Sequence, residues 1–148
     1  MQDIDRQEWH DHISTYGTLR TYRGIKQELV FEQYLDLNLS SGTIKTFTRL
    51  RGGLLHVEST EGRWATPPID YNQRKCRLCN YNMIEDEEHV LFFCPIWSTY
   101  RQQLGIYPSF KSKNLVAVCS TLDVNLIKDL VTFIDLVSFE KCEILEVL

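Results

Sequence analysis

Three thiols and an imidazole lie within nineteen residues of one another: Cys76-Arg77-Leu78-Cys79, nine further residues, His89, four more, and Cys94. A gap of two residues lets both sulfurs of a tight turn point at one ion. Three thiolates and one imidazole then complete a tetrahedral donor set of the kind zinc takes in closed, structural sites. Four protein ligands leave no position for water, so such an ion activates no nucleophile; the expectation is one structural Zn2+ and no catalysis. The bland alternative is ordinary buried cysteines beside a chance histidine, while an iron–sulfur cluster is disfavoured by the histidine and the single close cysteine pair.

The neighbouring residues must bring these ligands together. Asn80-Tyr81-Asn82 supplies turn chemistry for the reversal after Cys79. Ile84 packs, and Glu85-Asp86-Glu87-Glu88 opens a helix whose positive end favours their charge. His89 falls in its first turns, Cys94 at the break before Pro95. Pro95 suits the first position of a new helix, predicted to run to Leu104 with Trp97, Tyr100 and Leu104 on one face and to stop at Gly105.

Upstream, Ile4, Trp9 and Ile13 predict an amphipathic helix over residues 3–15, with Trp9 and Ile13 as its docking face. Residues 27–37 suit a helix, with a strand left open by Val30 and Phe31. Ser40 and Ser41 cap a helix carrying Ile44, Phe47 and Leu50, which stops at Gly52-Gly53. Residues 54–58 read as a short strand and 61–64 as a turn toward Pro67-Pro68. Downstream, Asp123 caps a long helix over 124–148, with Ile127, Leu130, Val131, Ile134, Val137, Cys142, Leu145 and Leu148 as its apolar stripe.

The fold class expected is mainly α, α+β at most: a helical domain with a CCHC zinc knuckle and a short strand pair beside it. Its 148 residues, 43% apolar, suffice for one core. The segments are 1–72, a helical N-terminal part; 73–105, the zinc-binding part; and 106–148, a C-terminal helical part.

Five cysteines, an odd number with three clustered beside a histidine, fit a reducing compartment better than a disulfide scaffold. No secretory signal is visible in the first thirty residues, and Lys128, Asp129, Asp135, Glu140 and Lys141 interrupt the most apolar stretch, so no membrane span is expected. The reading is an intracellular protein, nuclear or cytoplasmic.

The net charge of −4 is unevenly spread: residues 44–79 sum to +4 and residues 80–110 to −3. Arg49, Arg51, Arg63, Arg74, Lys75 and Arg77, with Trp64 and Tyr71 interleaved, are candidates to contact phosphates and stack on unpaired bases. The competing reading is a solvated surface paired with the acidic segments.

Other residues carry less. His10 and His12 sit at i, i+2 on a helix and cannot share an ion. The carboxylates of 85–88 diverge around a helix axis, which argues against a cation site and for dipole complementarity and solvation. Cys119 and Cys142 read as small core residues, and His56 as a partly buried polar side chain.

The segments Arg74-Lys75-Cys76-Arg77-Leu78-Cys79 and Ile84-Glu85-Asp86-Glu87-Glu88-His89-Val90-Leu91-Phe92-Phe93-Cys94-Pro95, with Arg101, resemble the zinc-binding domain that follows the reverse transcriptase in non-long-terminal-repeat retrotransposons. The resemblance extends upstream through Leu19-Arg20-Thr21-Tyr22, Tyr34-Leu35, Arg49-Leu50-Arg51, Val57-Glu58 and Gly62-Arg63-Trp64, covering about residues 9–104. It implies Cys76, Cys79, His89 and Cys94 as zinc ligands and a nucleic-acid-binding accessory to reverse transcription. No Tyr-x-Asp-Asp carboxylate motif occurs and the chain is too short for palm and fingers, so no polymerase activity is implied. A zinc-stapled protein-interaction module using the C-terminal helix is the alternative function. A contiguous basic face would favour the first, and an exposed apolar stripe on 124–148 the second.

Overall fold

The computed structural model describes residues 2–147. The expected mainly helical architecture is present, and there is no strand among the described residues. Among the described residues seven α-helices, α1 (Gln2–Thr15), α2 (Arg20–Ile25), α3 (Ser41–Gly52), α4 (Glu58–Trp64), α5 (Pro108–Lys111), α6 (Leu115–Cys119) and α7 (Val124–Val147), are joined by short 3-10 and π turns. The expected strand pair comes down to one isolated antiparallel bridge between Lys75 and Ile84.

Local chemistry explains the strongest elements. Ser40 begins α3 by accepting the Thr43 backbone N–H on its hydroxyl at 3.1 Å, and Gly53 ends it at φ 67°, a left-handed conformation that glycine adopts without a Cβ penalty. Asp123 accepts the N–H groups of Asn125 and Leu126 at 2.9 and 3.2 Å, so it caps α7 as expected. Helix α1 stops before Gly17 and buries Ile13. No helix among the described residues is long and apolar enough to cross a membrane.

Helix α7 lies against α3, and their apolar faces form the core. Phe47 and Leu50 of α3 meet Leu126, Ile127 and Leu130 of α7, all at most 1% exposed. Leu91, Cys94 and Trp97, from the stretch that carries the metal candidates, belong to the same cluster. Each such apolar side chain contributes about 1.5–3 kcal/mol by leaving water.

Several expectations are corrected. Residues 27–37 form no helix or strand, only a 3-10 turn at Gln33–Asp36, because the chain is tied back on itself: buried Lys26 donates to the Val30 carbonyl and pairs with Glu32 at 3.0 Å. The strand expected at 54–58 is a bend, and the turn at 61–64 is helix α4, whose Glu61 N–H bonds the Val57 carbonyl at 2.9 Å. The helix expected after Pro95 breaks into two 3-10 turns, Pro95–Trp97 and Gln103–Ile106, although Trp97 and Leu104 are buried as the pattern required. On α7, Cys142 is exposed instead of core, and Leu148 lies outside the described residues. His56 is exposed beside Glu61 at 3.4 Å.

Candidate metal centre

The chain approaches the site through the bridge at Lys75, where the Cys76 N–H bonds the Met83 carbonyl and the Glu85 N–H the Arg74 carbonyl, both at 3.0 Å. These bonds close the loop that presents Cys76 and Cys79. Its reversal needs one left-handed residue, and Asn82 supplies it at φ 55° while its side chain accepts from Lys75 at 2.6 Å. The expected turn at 80–82 is therefore where the residues placed it.

His89 and Cys94 are brought onto one side by an unusual turn. In an α-helix, residues five apart point about 140° away from each other. Here His89–Phe93 is a π-helical turn closed by a Cys94 N–H to His89 carbonyl bond of 2.7 Å, and its extra residue swings Cys94 back toward the histidine. Asp86 fixes the start of that turn by accepting the His89 N–H at 2.9 Å. Arg101 fixes its end, donating to the Val90 carbonyl at 3.2 Å and to the Cys94 carbonyl.

The outcome is one cluster: the ligand atoms of Cys76, Cys79, His89 and Cys94 all lie within 4.8 Å of one another and can hold a metal ion. Cys76, His89 and Cys94 are buried and Cys79 is partly so. His89 Nε2 faces the Cys79 sulfur at 3.5 Å, whereas its buried Nδ1 has no protein partner. The sulfurs share protons unevenly. The Cys76 thiol is pushed up to about 12 by its hydrogen bond to Cys94 and by burial, Cys94 is held below the usual thiol value by accepting that bond, and burial raises Cys79. A divalent cation bound there would displace such protons.

Around the cluster the acidic run opens a helical turn as expected, but it is not solvated throughout. Glu85 and Glu87 are each 2% exposed. Glu85 pairs with Lys141 of α7, which also lies 3.6 Å from Glu58 of α4, while Arg77 holds Glu58 at 2.8 Å. Exposed Arg77 and buried Glu58, Lys141 and Glu85 thus form a charge chain that straps the metal loop to two helices. Burial raises the Glu87 carboxyl, partly offset by its own backbone N–H and then by Arg20 at 3.8 Å.

The basic residues do not gather as one patch. Arg51 is in the core, only 6% exposed, where it bonds Glu32 at 2.7 Å and the Cys119 carbonyl and lies over the Tyr34 ring at 4.7 Å. It is therefore removed from the candidate contacts. Arg74 is committed to structure too, donating to the Ile69 and Ser59 carbonyls at 2.8 and 2.9 Å, with its stem packed on Gly62, where a Cβ would come within 2.8 Å. Arg77 serves the charge chain. Arg49 and Trp64 are exposed, Trp64 at 74%, Arg63 is half-buried, and Tyr71, at 39%, accepts a hydrogen bond from Arg20.

Residue pattern noted Lys141 only as a charge interrupting the apolar stretch and Arg20 only as part of the resemblance. Lys141 meets Glu85 across 56 positions of sequence, a separation no periodicity signals, whereas Arg101 was visible only as part of the resemblance.

No family model, curated protein or solved structure matches this chain.

Proposed function

We propose that Cys76, Cys79, His89 and Cys94 hold one zinc ion as a closed structural centre, and that the chain is a non-catalytic domain of the retrotransposon reverse-transcriptase type that binds single-stranded nucleic acid. The four-atom cluster carries the metal part. With Zn–S bonds of about 2.3 Å and Zn–N bonds of about 2.0–2.1 Å, a tetrahedral S···N edge is about 3.6 Å, and the Cys79 sulfur stands 3.5 Å from His89 Nε2. Three sulfurs and one nitrogen favour zinc over hard cations, which select oxygen. All four positions being taken by protein supports a structural role.

The nucleic-acid part is supported by the resemblance and by the surface that remains once Arg51, Arg74 and Arg77 are set aside. There, exposed Trp64 stands beside Arg63, and Tyr71 and Lys75 lie on the segment leading to the cysteines. An exposed ring stacks on any unpaired base, and a guanidinium beside it neutralises a phosphate.

Fluorescence anisotropy with labelled single strands and duplexes tests this. Trp64→Ala is expected to weaken single-strand binding by about 1–3 kcal/mol and leave duplex binding nearly unchanged. Arg63→Ala should weaken binding to all sequences alike and lower the salt slope by about one. No binding by the unmodified protein at about 50 mM salt removes the nucleic-acid reading. A protein-interaction module would then stand in its place, supported by α7, where Phe139 is 63% and Val147 87% exposed.

A further inference from the structure

The outer face of α7 carries apolar surface that the core does not use. Leu136 and Phe139, neighbours at i and i+3, are 38% and 63% exposed. Beside them a groove of about 340 Å³ runs between α7 and the stretch from Thr99 to Leu104, lined by buried Leu104 and Phe133 and by half-exposed Tyr100 and Leu136. Carboxylates border this surface. Outside the core, residues 128–147 carry Asp129, Asp135, Glu140, Glu143 and Glu146 against Lys128, because Lys141 is buried on Glu85. Asp129 accepts from the Tyr107 hydroxyl at 2.6 Å and Asp135 from Thr46 at 3.3 Å, whereas Glu140, Glu143 and Glu146 make no ion pair among the described residues. Leu136, Glu140 and Glu143 follow one another at i, i+4 and i+7, as do Phe139, Glu143 and Glu146, so apolar and acidic groups share one face. The last turn of α7 holds no basic residue, which leaves Glu143 and Glu146 near the negative end of the helix dipole, where a cation is the favoured neighbour.

That charge decides the occupant. A second copy of this face would set carboxylates against carboxylates, and a nucleic acid would set phosphates against them; both arrangements are repelled. A wholly apolar partner would strip water from the three glutamates and return no counter-charge. We propose that this face of α7 docks a basic amphipathic helix of a partner protein. Its apolar side chains enter the groove and cover Leu136 and Phe139, while its lysines or arginines meet Glu140, Glu143 and Glu146. The nucleic-acid reading uses Trp64 and Arg63, so the two surfaces stand or fall separately.

The test measures binding of the zinc-loaded full chain to a fluorescent peptide of about sixteen residues, with leucines at i, i+3, i+4, i+7 and i+11 and lysines between them. It should bind with Kd below about 100 μM at low salt. Phe139→Ser should weaken it about tenfold, the size of one aromatic anchor. Glu140→Gln with Glu143→Gln should weaken it by a similar factor and flatten its salt dependence. All three positions lie outside the core, and urea titration of each variant should match the unmodified protein. Trp64→Ala should leave peptide binding unchanged, and Phe139→Ser should leave strand binding unchanged. A scrambled peptide of equal charge, or a glutamate version of the same pattern, should bind at least about tenfold more weakly. No binding, equal binding of the scrambled peptide, or indifference to the α7 variants overturns the proposal. A concentration-dependent dimer in analytical ultracentrifugation that Phe139→Ser abolishes would overturn it in favour of a second copy.

Discussion

His89→Ala or Cys79→Ser is expected to lower the unfolding free energy by about 4 kcal/mol or more, a loss of the size that follows removal of a structural metal. The reason lies in what surrounds the ligands. Residues 66–73 are exposed throughout and form only one 3-10 turn, and the loop from Lys75 to Ile84 has a single bridge. Little apolar burial holds that stretch, so on the zinc reading the metal bonds add most to the few hydrogen bonds that Arg74 and Ile69 make there. The π turn after it contributes Leu91 and Cys94 to the core, and each is fully buried. Releasing the ion therefore loosens the core as well as the loop. Urea titration checks this, with two controls: a chelator should bring the unmodified protein to the stability of the variant, and the same chelator should leave the variant unaffected.

The second large effect is expected at Lys141, far from the ligands in sequence. Lys141→Met should cost about 3–5 kcal/mol, the usual penalty for removing one partner of a buried ion pair. Its side chain, 9% exposed, supplies the cation against Oε1 of Glu85, which is 2% exposed and whose Oε2 accepts no hydrogen bond. Pairing the substitution with Glu85→Leu should recover most of the loss, since a buried pair replaced by apolar groups of similar volume is often neutral. A double-mutant cycle by urea denaturation of the zinc-loaded protein reads the coupling directly. Equal destabilisation by the single and double variants would show that Lys141 acts through packing of its stem instead of its charge.

What was legible beforehand was local in sequence. The four ligands, the caps at Ser40 and Asp123, the stop at Gly53 and the turn at Asn82 each depend on neighbours a few positions away, and each is found where residue chemistry put it. The apolar stripe of α7 was visible from its period, because burial against α3 follows the helix repeat. The failures share a cause. Arg51 looked like a surface cation because charge is usually exposed, but Glu32, the Cys119 carbonyl and two aromatic rings surround it. Glu85 and Glu87 were read as solvated, whereas both are buried, Glu85 against Lys141 of α7 and Glu87 within 3.8 Å of Arg20 of α2. In both places distant residues decide the environment. Residues 54–64 failed in another way, since alternating apolar positions over so short a run do not tell a strand from a bend entering a helix.

X-ray absorption at the zinc edge, on protein prepared without chelators and calibrated by elemental analysis, is the most direct test of the central claim. The account predicts one equivalent of zinc with three sulfurs at about 2.3 Å and one nitrogen at about 2.0–2.1 Å. Less than about 0.2 equivalents, or a shell dominated by oxygen, would contradict it.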